Sequence, residues 1–415
     1  MIMDQADSVS ASGSHTRTAE WLYGLAYLGI FLAFIPLLIL LLPRRVEAIA
    51  GHADLPSLSW LLLIGGVVAS ISHILAGMAS DRWLLRYGSR RGLITIGVGA
   101  MLMAYGALGS ADNLTQLGLA LITFQFALNL AFAPLGALLA DYIPDARKGR
   151  IAGRLNATLP MSIAAVSLIS WLYPGDSDAA FYAIGAAGAL LMVPLLVLWP
   201  FGVMQERAPV ELPIADLPNP RRDFAIAATA RLLVQLGAVV MTSYLYAYLA
   251  SVAAAGRIPG IAETTSAIGW LSLVAMAAAI IASVLSGLFS DLQRTRRWPL
   301  AFSAGIIAGS LLVLSMPPSW LVLVLAFAAF HAALASFLSL DTALVAQILS
   351  GNKHRGALLG VMNLTNTLPS IIAPLAALLA IYSGGLSGAL PQLVLLSAVA
   401  ALAAALIIPA IRSVR

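Results

Sequence analysis

Cysteine is absent from all 415 positions, which excludes disulfide cross-links, thiolate metal sites and cysteine nucleophiles together. Charge is scarce as well. Asp, Glu, Lys and Arg make up 10% of the residues, against about a quarter in soluble domains, too few to coat a water-soluble globule. Lysine occurs only at Lys148 and Lys353. No DDxxD or HExxH run is present and the acids are scattered among polar loops, so the clustered carboxylates or histidines that a membrane enzyme needs are missing. We therefore expect no enzyme, no cofactor and no metal site. What the chain has in abundance is hydrocarbon: 60% hydrophobic residues and a mean hydropathy of +0.94. Such a chain is dissolved mostly in lipid.

A helix needs about 20 apolar residues to cross the hydrocarbon layer. Runs of that kind fall near 21–43, 57–79, 92–110, 117–140, 151–173, 179–201, 224–250, 264–289, 299–316, 320–349, 357–382 and 387–410. They are continuous rather than alternating, which selects helices over a barrel, and the expected class is all-α integral membrane with twelve spans. The first 20 residues are polar and lack a basic leader and a cleavage site, so they read as a tail ahead of an uncleaved first span.

Basic residues fix the expected orientation. Nineteen of the 23 Lys and Arg lie in the amino-terminal tail, the even-numbered loops and the carboxyl terminus, counting Arg154 at the margin of the fifth span with the fourth loop. Three (Arg44, Arg45 and Arg257) lie in opposite loops, and Arg231 lies within a span. Positive charge collects on the cytosolic side, so both termini are expected there, in a cell (inner) membrane. The same placement explains the net charge of +5 without nucleic acid as a partner.

The longest internal polar stretch, 202–223, is rich in Pro and charge and divides the spans six and six. We expect a tail and first bundle over 1–201, a cytosolic linker over 202–223 and a second bundle over 224–415. The halves also repeat. GMASD (77–81) matches GLFSD (287–291), and ALLADYIPDARKG (137–149) matches ALVAQILSGNKHRG (343–356) with one insertion. Gly153, Asn156 and Thr158 then match Gly360, Asn363 and Thr365. Parallel repeats in a membrane suggest two bundles rocking about a central site; duplicated halves kept for packing alone are the alternative.

The run GMASDRWLLRYGSRRG (77–92) resembles the loop between the second and third helices of the major facilitator superfamily. Its spacing, with four extra residues between Asp81–Arg82 and the Gly88, Arg90, Arg91 group, is similar to the glycoside–pentoside–hexuronide symporters and related sucrose transporters. The stretches 124–150 and 339–374 resemble the same subgroup. The resemblance implies two pseudo-symmetric six-helix bundles, a monomer, and secondary transport by alternating access. It also implies a cytosolic gate of Asp81, Arg82, Gly88, Arg90 and Arg91, with Asp291 as the repeat counterpart. In that family the first acid meets the start of the eleventh helix, so Asp81 is expected near 356–359 and Asp291 near 149–152. A carboxylate at a helix start gains roughly 0.3–1 kcal/mol when exposed and up to about 2 when partly buried. The other reading of these charges is that they only anchor the loops on the positive side.

Ionisable residues inside a membrane are costly and candidates for function. Arg231 lies nine residues beyond Arg222, and Asp341 nine before Ser350. Both thus sit about 13 Å inside the same face at 1.5 Å per residue, close enough in depth to pair. Asp341 either carries a coupling proton (H⁺ rather than Na⁺), its ionisation set by burial against Arg231, or belongs to a permanent structural bridge. His331 is repeat-related to Gln125, on the tenth and fourth spans that line the cavity in the resembling family. Gln125 with Asn129, and Arg231 with Gln235, are spaced four apart on one helix face, and their donors and acceptors suit a polyhydroxyl solute. Polar side chains also tie membrane helices to each other. His73, Asn363 and Asn366 read as packing residues, and Tyr244, Tyr246 and Tyr248 as an interfacial belt. The function expected is cation-coupled uptake of a sugar or glycoside-like small solute. Export of a drug-like or metabolite molecule, and a transport-inactive sensor on the same fold, are the alternatives.

Overall fold

The computed structural model describes residues 2–51, 54–143, 145–175, 178–199, 220–254, 264–293, 296–316, 318–348, 362 and 364–412. Among them, eleven helices are long and apolar enough to cross a membrane, and Thr158–Leu172 is a shorter apolar helix. Lipid offers no partner to a backbone amide, so the chain satisfies its amides helix by helix.

The first helix, α1, runs Ile2–Pro36, passes through a π-helical turn at Leu37–Leu41 and resumes as Leu42–Ala50. Pro36 has no N–H to give, and wide turns of this kind are common where a helix must bend. Then follow α2 (Leu55–Tyr87), α3 (Arg91–Gly109), α4 (Leu114–Tyr142), α5 (Asp145–Leu172) and α6 (Asp178–Leu198). The later helices are α7 (Pro220–Ser243, continued as Leu245–Ala254), α8 (Thr264–Gln293), α9 (Arg297–Ser315), α10 (Trp320–Ile348), α11 (Pro369–Gly384) and α12 (Leu386–Ile407). Residues 201–219, most of the expected linker, lie outside the described residues.

Local chemistry sets several of the ends. Asn113 caps α4 by accepting the Gln116 amide at 2.9 Å, while Gln116 Oε1 accepts the Asp112 amide at 2.8 Å. The first bond satisfies an amide that the helix start leaves over, and the second ties the residue before the cap to the first turn. At the turn before α3, Gly88 has φ +67°, a left-handed conformation that glycine enters without steric cost.

Contacts divide the chain into two compact units. Unit 1 comprises Met1–Leu37, Val68–Ser162 and Ser177–Arg207; unit 2 comprises Leu38–Val67, Ile163–Asp176 and Ala208–Arg415.

In unit 1, α1 and α6 meet backbone to backbone. A Cβ placed on Gly29 would lie 2.6 Å from the Gly188 carbonyl oxygen. Small residues at such a crossing let two helices gain dispersion contacts that larger side chains would prevent. Tyr23 on α1 donates to the Leu135 carbonyl at 2.9 Å, and Tyr105 on α3 donates to the Ala33 carbonyl.

In unit 2, the later helices are joined by the end of α1, the beginning of α2 and the end of α5. Tyr244 donates to Ser59 at 3.0 Å, Tyr246 donates to Glu47, and Ser167 donates to the Gly269 carbonyl at 2.7 Å. Trp171 and Trp270 meet edge to face, with centroids 5.5 Å apart. Gly66 approaches Ser370 so closely that a Cβ would lie 2.4 Å from its carbonyl oxygen.

These contacts correct the reading of the tyrosines. Tyr244 and Tyr248 are buried, and Tyr248 donates to the Leu314 carbonyl at 2.8 Å. They do not form a lipid-facing belt. The helix breaks at Tyr244, and the break turns residues two apart toward different partners.

Candidate functional site

Two polar centres lie inside the spans, one in each unit. In unit 2, Arg231 Nη1 on α7 donates to Asp341 Oδ2 on α10 at 2.8 Å. The Asp341 side chain is fully buried and that of Arg231 is 17% exposed. The two residues placed at equal depth by the sequence therefore meet. Asn366, near the start of α11, accepts from Arg231 Nε at 3.2 Å and from Gln235 Nε2 at 3.1 Å. Asp341 Oδ1 is buried with no hydrogen-bond partner among the described residues. One carboxylate oxygen is thus committed to the guanidinium while the other is open.

A buried ion pair seldom repays the cost of removing both charges from water by more than a small margin. Stability alone is a weak reason for this pair to exist. An open carboxylate oxygen beside a cation that is also held by an amide is an arrangement in which a proton or a ligand hydroxyl has somewhere to bind.

His331 sits elsewhere on α10. It lies ten residues from Asp341, about 15 Å along the axis, against Phe327 and Phe330 with centroids at 4.6 and 5.1 Å. Among the described residues it makes aromatic contacts and does not join the Arg231–Asp341 group. Asn366 does join it, although its sequence context read as packing. Its place one turn before Pro369 drew attention to the backbone rather than to its side chain. Asn363 lies outside the described residues.

In unit 1, Gln125 and Asn129 on α4 are both buried, and the Asn129 amide nitrogen donates to the Gln125 backbone carbonyl at 2.9 Å and to Ser72 Oγ at 3.0 Å. His73, on α2, faces Asn129 with Nδ1 3.0 Å from Oδ1. The Gln125 side chain leaves its Oε1 buried without a partner among the described residues.

The loop motif forms a third centre in unit 1, where the end of α2, the start of α3 and the end of α4 meet. Arg90 is its hub: Nε donates to Asp141 Oδ2 at 2.7 Å, and Nη1 donates to Asp81 Oδ1 at 2.9 Å and to Ser80 Oγ. Arg90 and Asp141 are buried, with side chains 6% and 7% exposed, whereas Asp81 is 71% exposed. Arg82 and Arg91 are exposed, and neither belongs to the Arg90–Asp81–Asp141 group. The sequence grouped three arginines together; the turn at Gly88 directs one of them inward. Asp141 was missed, although it stands in the repeated segment ALLAD, where the second half has Gln347. Just past the apolar part of α4, the Tyr142 phenol is pushed up by burial first and by the Asp141 carboxylate, with Arg90 acting the other way. The expected approach of Asp81 to 356–359 falls outside the described residues, as do the side chain of Asp291 and most of those in its expected partner segment 149–152.

No protein-family model matches the chain, and no curated protein does. Solved structures do match. A mutant form of the nucleoside transporter NupG superposes with a TM-score of 0.70 at 14% identity, over 95% of this chain and 99% of that one. A bacterial homologue of the human lysosomal transporter Spinster, inward-facing and occupied, gives 0.67 at 15% identity over 94% and 96%. Its inward-facing, unoccupied form gives 0.64 at 15% identity over 95% and 94%. The chain is an all-α, multi-pass membrane protein with the major facilitator fold. Within that fold, the structures it is similar to are transporters.

Proposed function

We propose that this chain is a secondary transporter that works by alternating access and takes up a sugar or glycoside-like small solute together with a proton. The observation that carries the reading is the buried Arg231–Asp341 pair with its open carboxylate oxygen. A proton can bind Asp341 Oδ1 while Oδ2 still faces the guanidinium. Protonation then removes the charge that holds Arg231, and Arg231 falls to Asn366 or to the solute. Each ligand thus changes what the other meets, which is the requirement for coupling.

The hydrogen bonds of Tyr244, Tyr246 and Ser167 and the Trp171–Trp270 contact act, in this reading, as part of the gate on the non-cytosolic side. The Arg90 hub steadies the cytosolic end of the first bundle. A rocking transporter must break one such set of contacts while the other forms.

The test is uptake into proteoliposomes under an imposed pH gradient, compared with exchange at equal pH. Asp341→Asn is expected to abolish accumulation against a gradient and to leave exchange in place. Accumulation equal to that of the unaltered chain would refute the coupling role.

A further inference from the structure

The polar centre of unit 1 has a bonding pattern that fixes one hydrogen and, among the described residues, leaves two acceptors unused. The Asn129 side chain faces the Gln125 backbone carbonyl at 2.9 Å. A carbonyl only accepts, so the end of the amide facing it is the NH₂ and the end facing His73 is the oxygen. The imidazole hydrogen therefore sits on Nδ1, bonded to Asn129 Oδ1 at 3.0 Å. In the neutral ring, Nε2 keeps a bare lone pair. One turn away on α4, Gln125 Oε1 is the second unused acceptor. The Asn129 amide serves Gln125 and Ser72, and the Ser72 hydroxyl donates to the Ala69 carbonyl at 3.1 Å.

Aromatic rings surround this knot. Phe132 lies 5.9 Å from the His73 ring. Tyr27 and Phe31 on α1 meet Phe132 at 5.8 and 6.1 Å, at 71° and 64°. All four residues are half-buried rather than sealed in the core. Rings set at such angles present both faces and edges, and these attract another flat ring.

We propose that His73, Tyr27, Phe31 and Phe132 form a subsite for the flat aromatic ring of a glycoside, with a ring-edge N–H or O–H donating to His73 Nε2. The proposal rests on the uptake reading above and narrows its solute class. A plain sugar fits less well, because it has no flat ring to set against Tyr27, Phe31 and Phe132. The shared chemistry has two sources, a nucleoside or a hydroxyaryl glycoside.

Matched ligand pairs separate the cases, with dissociation constants measured by calorimetry on the purified full chain in detergent. Inosine carries a ring N–H that 1-methylinosine lacks; 4-hydroxyphenyl β-glucoside carries an O–H that phenyl β-glucoside lacks. In the unaltered chain, the donor-bearing member of at least one pair is expected to bind about tenfold more tightly, equivalent to about 1.4 kcal/mol. The pair that shows the difference identifies the source. His73→Phe is expected to erase it, and Phe132→Leu, which leaves the hydrogen bonds in place, to weaken the preferred ligand about tenfold. Equal affinities within both pairs, or a within-pair difference that survives in His73→Phe, overturns the subsite. Binding needs no gradient, so the two readings fail separately. A chain that binds these ligands but accumulates nothing refutes the uptake reading alone. One that accumulates methyl β-glucoside and shows no preference within either pair refutes the aromatic subsite alone.

Discussion

Replacing Arg90 by Met removes the hub of three hydrogen bonds but keeps most of the side-chain volume. Asp141 is then left with its side chain 7% exposed and without the guanidinium that sat 2.7 Å away. Breaking a buried pair from one side costs about 3–5 kcal/mol, because a charge stays buried without compensation. Asp81 is the contrast. It bonds the same guanidinium at 2.9 Å but is 71% exposed, and an exposed partner contributes about 0–1 kcal/mol. Asp81→Asn should therefore be nearly silent for stability. The double variant Arg90→Met, Asp141→Leu replaces the pair by apolar groups, a change that is often neutral, and it should recover most of the loss. The assay is unfolding in mixed micelles, followed by tryptophan fluorescence. A double variant that loses the sum of its parts, or an Asp81→Asn loss as large as that of Arg90→Met, would refute the reasoning.

Three further outcomes are expected. Gly29→Ala drives a methyl to 2.6 Å from the Gly188 carbonyl oxygen and should cost about 1–3 kcal/mol as an overpacked contact. Gly24→Ala, on the same helix with nothing within 4 Å of its Cβ, should be neutral or stabilising by up to about 1 kcal/mol; the same unfolding assay compares them. Asn113→Ala removes the cap of α4 and should cost about 1 kcal/mol, read as a lower thermal midpoint.

The spans were legible in the sequence because hydrocarbon thickness alone dictates their length, and α3 and α9 begin within two residues of the expected positions. The break in α7 was not. SYLYAYLAS (243–251) contains neither Gly nor Pro, and the bond from Tyr244 to Ser59, 185 positions away in sequence, is a tertiary feature that leaves no local mark. Depth arithmetic found the Arg231–Asp341 pair because a span has a fixed rise per residue. The same arithmetic says nothing of azimuth, so Asn366 was read as packing and His331 was grouped with residues it does not touch. Arg82, Arg90 and Arg91 look alike in the motif; the positive φ at Gly88 decides which one turns inward, and a backbone angle is not written in a charge pattern. Asp141 could have been singled out from its place in the first-half repeat, where an acid near the end of an apolar helix needs a cation.

The central claim is that the contacts of Tyr244, Tyr246 and Trp171, proposed as a gate on the non-cytosolic face, open and close during turnover. With no native cysteine, the chain is suited to a single reporter. Ser59 is fully buried beneath Tyr244, so Ser59→Cys can be challenged with a membrane-impermeant maleimide from that face, in the resting state and during solute exchange. The account predicts slow labelling at rest and faster labelling during exchange. A thiol that labels equally in both conditions while transport continues would contradict it.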